Sequence, residues 1–145
     1  MPGMSVAAPP LGSSPVGTDP SLVTYTHAIY ALHGLSVLIG VTSPATVVGS
    51  FVFGLPSILA VIMNYARRSE VRGGWLEPHF RWQIRTFWYA LLWMTLAALV
   101  SAPLVLALGA GILTFALAAS VVGVWVGYRV IRGWLALRDG RPPIR

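Results

Sequence analysis

The stretch that decides the fold runs from Thr86 to Ile131 and reads TFWYALLWMTLAALVSAPLVLALGAGILTFALAASVVGVWVGYRVI. Its side chains are apolar almost throughout, and its only charged residue is Arg129. Gly109-Ala110-Gly111 interrupts the run and predicts a tight, uncharged turn. Each half has about 20 residues, the length that an α-helix needs to cross a hydrocarbon core of about 30 Å. The stretch therefore predicts two transmembrane helices, over 86–108 and 112–131.

Two more apolar runs precede this stretch, over 23–41 and 46–65. The first follows Asp19-Pro20, a typical helix start, because a carboxylate caps free N–H groups and proline suits the first helical position. This run is the most polar of the four, so three spans with a re-entrant or interfacial first helix are the alternative. Glu77-Pro78 restarts a helix that continues into the third span. The sequence thus predicts an all-α membrane protein, a four-transmembrane-helix bundle over 21–137.

Composition agrees with a membrane location. Of the 145 residues, 56% are apolar and 10% are charged, with a mean hydropathy of +0.73, whereas a soluble domain has about 25% charged residues. Residues 1–20 have neither the basic nor the apolar segment of a secretory signal and are rich in Pro, Gly, Ser and Ala, which predicts a disordered tail. Residues 138–145 form a basic C-terminal tail.

The arginines predict the orientation. All ten basic residues are arginine, and the net charge is +6. Five lie in the loop 67–85 and five at or beyond the end of the fourth span, whereas the two short turns have none. The positive-inside rule then places both termini and the loop in the cytoplasm, in the inner membrane of a bacterium. Since these arginines directly flank the apolar runs, we expect contacts with lipid headgroups or a protein partner rather than nucleic acid, made by Arg67, Arg68, Arg72, Arg81, Arg85, Arg129, Arg132 and Arg138.

Several polar residues occur where the helices reach this basic side. On a helix that begins at Glu77, His79, Gln83 and Thr86 share one face, which we expect to point into the bundle. Asn64 ends the second span and is expected to cap carbonyl groups or to bond to His79 or Gln83. Such residues either anchor the bundle or form a functional polar site, because polar groups are costly inside a membrane. The predicted cluster comprises His27, Asn64, His79, Gln83 and Thr86.

Small residues recur at helical spacing in three of the spans. They allow close approach of helix backbones. This pattern favours helix packing, either within one bundle or between two copies of the chain. The residues are Ser36, Gly40, Ser50, Gly54, Ala119, Gly123 and Gly127.

The sequence gives no indication of an ordinary enzyme. It has no cysteine, no acid within a span, and no Walker loop, zincin motif or G-x-S-x-G elbow. We therefore expect a non-catalytic accessory subunit of a membrane complex or a self-associating bundle, in contact with membrane lipids and without a metal or cofactor. One alternative is a small-solute pore or carrier lined by Thr26, Tyr30 and His33. The other is a haem-binding redox protein, although His27 and His33 point in different directions on their helix.

Four short motifs resemble a known family. They are Thr26-His27-Ala28, Phe53-Gly54-Leu55-Pro56, the segment from His79 to Ile84 (HFRWQI) and the segment from Trp134 to Pro142 (WLALRDGRP). In order and position they are similar to those of small bacterial membrane proteins distantly related to an integral subunit of the chloroplast inner-envelope protein-import translocon. The resemblance covers about Tyr25 to Pro142 and implies a four-helix membrane bundle with cytoplasmic ends. It implies no activity, and the arginine-rich loop departs from the family's acidic one.

Overall fold

The structure is a computed structural model that describes residues 18–42, 47–108 and 110–143, with the backbone alone at 41, 47–53 and 106–108. Within these residues it has four α-helices, one short 3-10 helix and no strand. The helices are α1 (Pro20–Thr42), α2 (Val47–Ala66), α3 (Glu77–Leu108) and α4 (Gly111–Arg138), and the 3-10 helix is Arg68–Val71. Most of the predicted disordered tail, the side chain of Ser50 and the turn residue Gly109 lie outside this description.

The predicted spans fall on the four helices. The helix that was expected to restart at Glu77 does so, and it runs unbroken past Pro103. Three segments are long and apolar enough to cross a membrane, namely Pro20–Gly40, Glu77–Val105 and Gly111–Arg138. They indicate a membrane protein. The segment of α2 that can be assessed, Gly54–Ala66, is apolar but shorter.

The helices pack as two hairpins. α1 packs mainly on α2 and α3 mainly on α4, while α1 against α4 joins the two pairs. α2 and α3 touch far less. This leaves one side of the bundle more open than the others.

The polarity of the bundle is inverted relative to a soluble protein. Leu38, Leu99 and Val121 are 61%, 66% and 71% exposed, whereas His79, Asn64 and Gln83 are at most 2% exposed. An apolar exterior of this extent suits hydrocarbon. A polar interior suits side chains that must find partners inside the protein, because lipid offers none.

Local sequence explains both ends of the chain's helical part. The Asp19 carboxylate accepts the Ser21 backbone N–H at 2.9 Å and the Ser21 hydroxyl at 2.8 Å, which caps α1 as predicted and lowers the pKa of the Asp19 carboxyl. At the other end, Gly140 adopts φ +66°, the left-handed conformation that glycine permits. The Arg141 N–H then donates to Ala136 O and the Gly140 N–H to Leu137 O, both at 3.0 Å. This Schellman turn fixes the direction in which the chain leaves α4.

The contact between α1 and α4 predicts different effects of an alanine at two glycines, one on each helix. A Cβ at Gly133 would lie 2.5 Å from the Tyr30 hydroxyl oxygen, whereas a Cβ at Gly34 would meet Trp134 and Val130 at 3.8 and 3.9 Å, an ordinary contact. We expect Gly133→Ala to destabilise the fold by about 1–3 kcal/mol through overpacking. Gly34→Ala should leave stability unchanged or raise it by up to about 1 kcal/mol. Reversible unfolding in mixed detergent micelles measures both, and equal effects would contradict this packing.

Candidate functional site

A buried polar layer lies where α1, α2 and α3 reach the arginine-rich end of the bundle. We define the arginine-rich end by the loop 67–76 and the turn 139–143, and the polar layer by its side chains. All of them are at most 4% exposed. The members of the polar layer are Thr26, Tyr30, His33, Asn64, His79, Gln83 and Thr86.

His79 is the centre of the polar layer. Its Nε2 lies 2.8 Å from Arg141 O, and its Nδ1 lies 3.0 Å from the Tyr30 hydroxyl. A carbonyl oxygen can only accept, so Nε2 carries the proton and donates to Arg141 O. Nδ1 of the neutral ring then accepts from the Tyr30 hydroxyl. Through this one imidazole, α1, α3 and the turn after α4 are held together.

Aromatic rings enclose His79. The Tyr30 ring meets it edge-on with centroids 6.0 Å apart, and the Trp75 ring does so at 5.7 Å. The backbone turn from Gly73 to Trp75 is closed by Glu77, whose carboxylate accepts the Gly73 N–H at 2.8 Å. Glu77 also pairs with Arg81 at 2.9 Å, so that one acid organises the start of α3.

Arg129 is half-buried between α3 and α4. Its guanidinium stacks 3.7 Å from the Trp82 ring centroid, and its Nε donates to the Thr86 hydroxyl at 2.7 Å. The Trp82 indole N–H donates in return to Arg129 O at 3.1 Å. Arg129 therefore joins α3 to α4, and its expected contact with lipid or a partner stays a prediction. The Trp125-Arg129 spacing of four residues, which places Trp125 5.1 Å away, was a signal for this stacking in the sequence.

His27 lies at the edge of this end of the bundle. Its Nδ1 accepts the Trp134 indole N–H at 2.9 Å, which links α1 to α4. Close by in sequence, the Tyr25 hydroxyl donates to Met63 O at 3.0 Å and links α1 to α2. His27 thus belongs to the same end as the predicted cluster, but it is only partly buried.

Three members of the polar layer keep unpaired atoms. The His33 Nδ1 lies 3.1 Å from the Ser57 hydroxyl, while its Nε2 has no partner among the described residues. Both amide atoms of Asn64 and of Gln83 are also unpartnered in the described part of the chain. The expected bonds from Asn64 to His79 or Gln83 are therefore wrong. A buried amide without a partner costs about 1–3 kcal/mol, which calls for water or a bound molecule.

The residues of the predicted path in α1 have different roles. Thr26 donates back to Leu22 O at 2.7 Å, and Tyr30 is held by His79. Only His33 lines a cavity of about 330 Å³ between the helices, together with Ser57, Thr86 and apolar side chains. The structure gathers the three path residues on one buried face of α1, but it connects only His33 to open space.

The other predicted arginines lie at the arginine-rich end. Arg67 forms an ion pair with Glu70 at 2.8 Å, and this hydrogen bond raises the pKa of Arg67. Arg138 lies 3.4 Å from Asp139, and Arg132 bonds to the Tyr128 hydroxyl. Arg81 is exposed and pairs with Glu77. The remaining three arginines are exposed and have no acidic partner among the described residues. They are Arg68, Arg72 and Arg85.

The small residues face the bundle interior where they are described. A Cβ at Gly127 would lie 3.3 Å from Val37 of α1, and Gly123 is buried. Ser36 is 1% exposed, and Gly54 lines the cavity. Gly40 and Ala119 are half-buried on the same helices. Gly127 fits packing within one bundle, whereas a Cβ at Gly123 would meet nothing within 4 Å, so both interpretations stay predictions.

No three His, Asp or Glu side chains come together among the described residues. Both ring nitrogens of His79 are engaged, and so is Nδ1 of His27. Sequence reasoning missed three partners in the site, namely Trp134, Ser57 and the Arg141 carbonyl. A backbone carbonyl carries no sequence signal, and the other two lie on helices whose relative rotation the sequence does not specify.

The Tyr30–His79 hydrogen bond is expected to contribute to the free energy of unfolding, and Tyr128 offers a control for removing a tyrosine hydroxyl. Tyr30→Phe leaves the ring in place but removes the only donor to Nδ1 of the neutral His79 ring. We expect a loss of about 1–3 kcal/mol in unfolding free energy, because the nitrogen stays buried without a partner. Tyr128→Phe removes an exposed hydroxyl from the same kind of ring and should cost less than about 0.5 kcal/mol. Equal losses in the two variants would contradict the role of His79.

Comparisons with known proteins give no match for this chain. No protein-family model matches it. No curated protein and no solved structure matches it either. The resemblance to translocon-related bacterial membrane proteins therefore stays a prediction.

Proposed function

We propose that this chain is a non-catalytic integral membrane protein of the bacterial inner membrane. It works as an accessory subunit of a membrane complex or as a self-associating bundle. It crosses the membrane four times, with both termini and the loop 67–85 in the cytoplasm. The observation that carries this proposal is the gathering of two separate basic segments at one end of an otherwise apolar bundle.

The orientation rests on that gathering. The bond from His79 Nε2 to Arg141 O, at 2.8 Å, holds the start of α3 beside the end of α4. Arginines of both segments thus project from the same end, and the charge bias of inner-membrane proteins retains such an end in the cytoplasm. α3 and α4 then cross outward and back, and α1 and α2 do the same.

The non-catalytic role rests on how the polar groups are used. His79, Arg129 and His27 are all engaged in bonds to other parts of the chain, at 2.7–3.0 Å. Groups held in this way are committed to joining the helices. The proposal therefore assigns them to the fold and assigns recognition to the exposed surface.

The exposed arginines form the recognition surface. Arg68, Arg72 and Arg85 have no ion pair with a described residue, so their charge is free to act outward. Near an anionic leaflet each such residue contributes about 1 kcal/mol of attraction. The same charges suit an acidic face of a partner subunit.

Site-specific crosslinking in cells tests this function. A photocrosslinking residue at the exposed position Ser69 should give one product of defined mass, either a multiple of the 15.6 kDa chain or a fixed larger complex. Neutralising Arg68, Arg72 and Arg85 to glutamine should lower its yield at least about threefold, since three attractions are lost. The double variant Arg67→Gln, Glu70→Gln removes an ion pair without changing net charge and should keep the yield. A chain that gives no product, or equal losses in both variants, would contradict the proposal.

A further inference from the structure

The cavity beside His33 is amphipathic along its length. Its volume is about 330 Å³, at the lower end of the range typical for small-molecule sites. His33, Ser57 and Thr86 line the end that faces the polar layer. Leu91, Met94 and Val122 line the rest, about two turns of helix further from the arginine-rich end.

Unpaired polar atoms lie at the polar end of the cavity. His33 is 3% exposed, and its Nε2 has no partner among the described residues. Gln83 is 2% exposed, and its amide is equally unpartnered there. A gap lined by both side chains lies beside the His33 end of the cavity, but it is too small to hold a water molecule, and Gln83 does not line the cavity itself. The His33 imidazole nitrogen is therefore the group that can donate to or accept from a head group in the cavity.

The cavity has an opening towards the bilayer. Its walls on one side come from α2 and α3, the two neighbouring helices that touch least. Ile58 of α2 and Leu91 of α3 both line it, and they are 45% and 46% exposed on the outer face of the bundle. A molecule dissolved in the membrane could reach His33 by this route without passing through water.

The residues that line the cavity disfavour both a charged ligand and filling by water alone. No arginine or acid is among the described residues that line the cavity, so a full charge would be desolvated there with no counterion in direct contact; the Arg129 guanidinium lies behind the Thr86 hydroxyl, to which its Nε donates at 2.7 Å. Most of the wall is aliphatic or aromatic, and water needs several polar partners at each position. A neutral oxygen-bearing head with an apolar tail satisfies both ends.

We propose that this cavity is a binding site for an uncharged membrane amphiphile. The head, which carries carbonyl or hydroxyl oxygens, bonds to His33 Nε2. The tail lies along Leu91, Met94 and Val122 and leaves between α2 and α3. Lipid quinones and diacylglycerols share this chemistry, and the experiment separates them.

The test measures binding to the full chain in nanodiscs by native mass spectrometry. The probes are decyl-benzoquinone, dioctanoylglycerol and, as a charged counterpart with the same tails, dioctanoyl phosphatidic acid. Ala90 lines the cavity and Ala98 is exposed on the same helix, so Ala90→Leu fills the site while Ala98→Leu is its matched control. His33→Leu keeps the volume and removes the nitrogen.

We expect at least one neutral probe to bind with one-to-one stoichiometry, and the anionic probe to bind at least about tenfold more weakly. Ala90→Leu and His33→Leu should each weaken the neutral probe by about tenfold, the factor that corresponds to about 1.4 kcal/mol, while Ala98→Leu should not. Which neutral probe binds identifies the head group. Helical content by circular dichroism checks each variant, and His33→Leu decides the test if Ala90→Leu does not fold.

Three results would overturn the site. In the first, neither neutral probe binds to the wild-type chain, which would mean that the cavity holds water alone. In the second, the anionic probe binds as tightly as the neutral ones. In the third, Ala98→Leu weakens binding as much as Ala90→Leu, which would assign the adduct to the outer lipid surface. None of these results bears on the orientation or the crosslinking of the arginine-rich end, so this site and the proposed function fail independently.

Discussion

The hydrogen bonds of His79 are the constraint on which the arginine-rich end depends. One neutral imidazole accepts from the Tyr30 hydroxyl and donates to Arg141 O, so that three parts of the chain meet at one buried point. His79 is buried, so little solvent competes for these groups, and an unmade bond would cost about 1–3 kcal/mol. The Schellman turn at Gly140 presents the carbonyl, and the close approach at Gly133 leaves room for the Tyr30 ring. Gly133 and Gly140, which are far from Tyr30 and His79 in sequence, thus both support the hydrogen bonds of His79.

The polar layer divides the interior into two chemically different parts. The ring nitrogens of His79 and the guanidinium Nε of Arg129 are paired with groups from other parts of the chain. His33 Nε2 and the Gln83 amide have no partner among the described residues, and a cavity opens beside His33. The first part explains how a small bundle holds basic segments together, and the second combines a cavity with unpaired polar atoms. Anchoring and ligand binding are therefore separate roles of neighbouring residues.

Much of the fold was predictable, because membrane helices must be long, apolar and internally hydrogen-bonded. The positions of the four helices and the inward face of His79, Gln83 and Thr86 followed from run lengths and helical periodicity. The partners of those side chains did not. Periodicity gives the face of one helix but not its rotation or height against another, so the contact of Trp134 with His27, 107 positions away, was not predicted. For the same reason the stacking of Arg129 on Trp82 was not predicted, although Trp125 one turn before Arg129 favoured stacking.

The central claim is that both basic segments lie on one side of the membrane. The chain then crosses the membrane twice before the segment 67–85 and twice after it. Because the chain has no cysteine, single cysteines at exposed positions can report on it with a membrane-impermeant maleimide. Thr42→Cys and Ala110→Cys mark one end of the bundle, and Ser69→Cys marks the other. The account predicts that in spheroplasts the first two are labelled while Ser69→Cys is labelled only after lysis. Labelling of Ser69→Cys before lysis, or of only one of the other two, would contradict it.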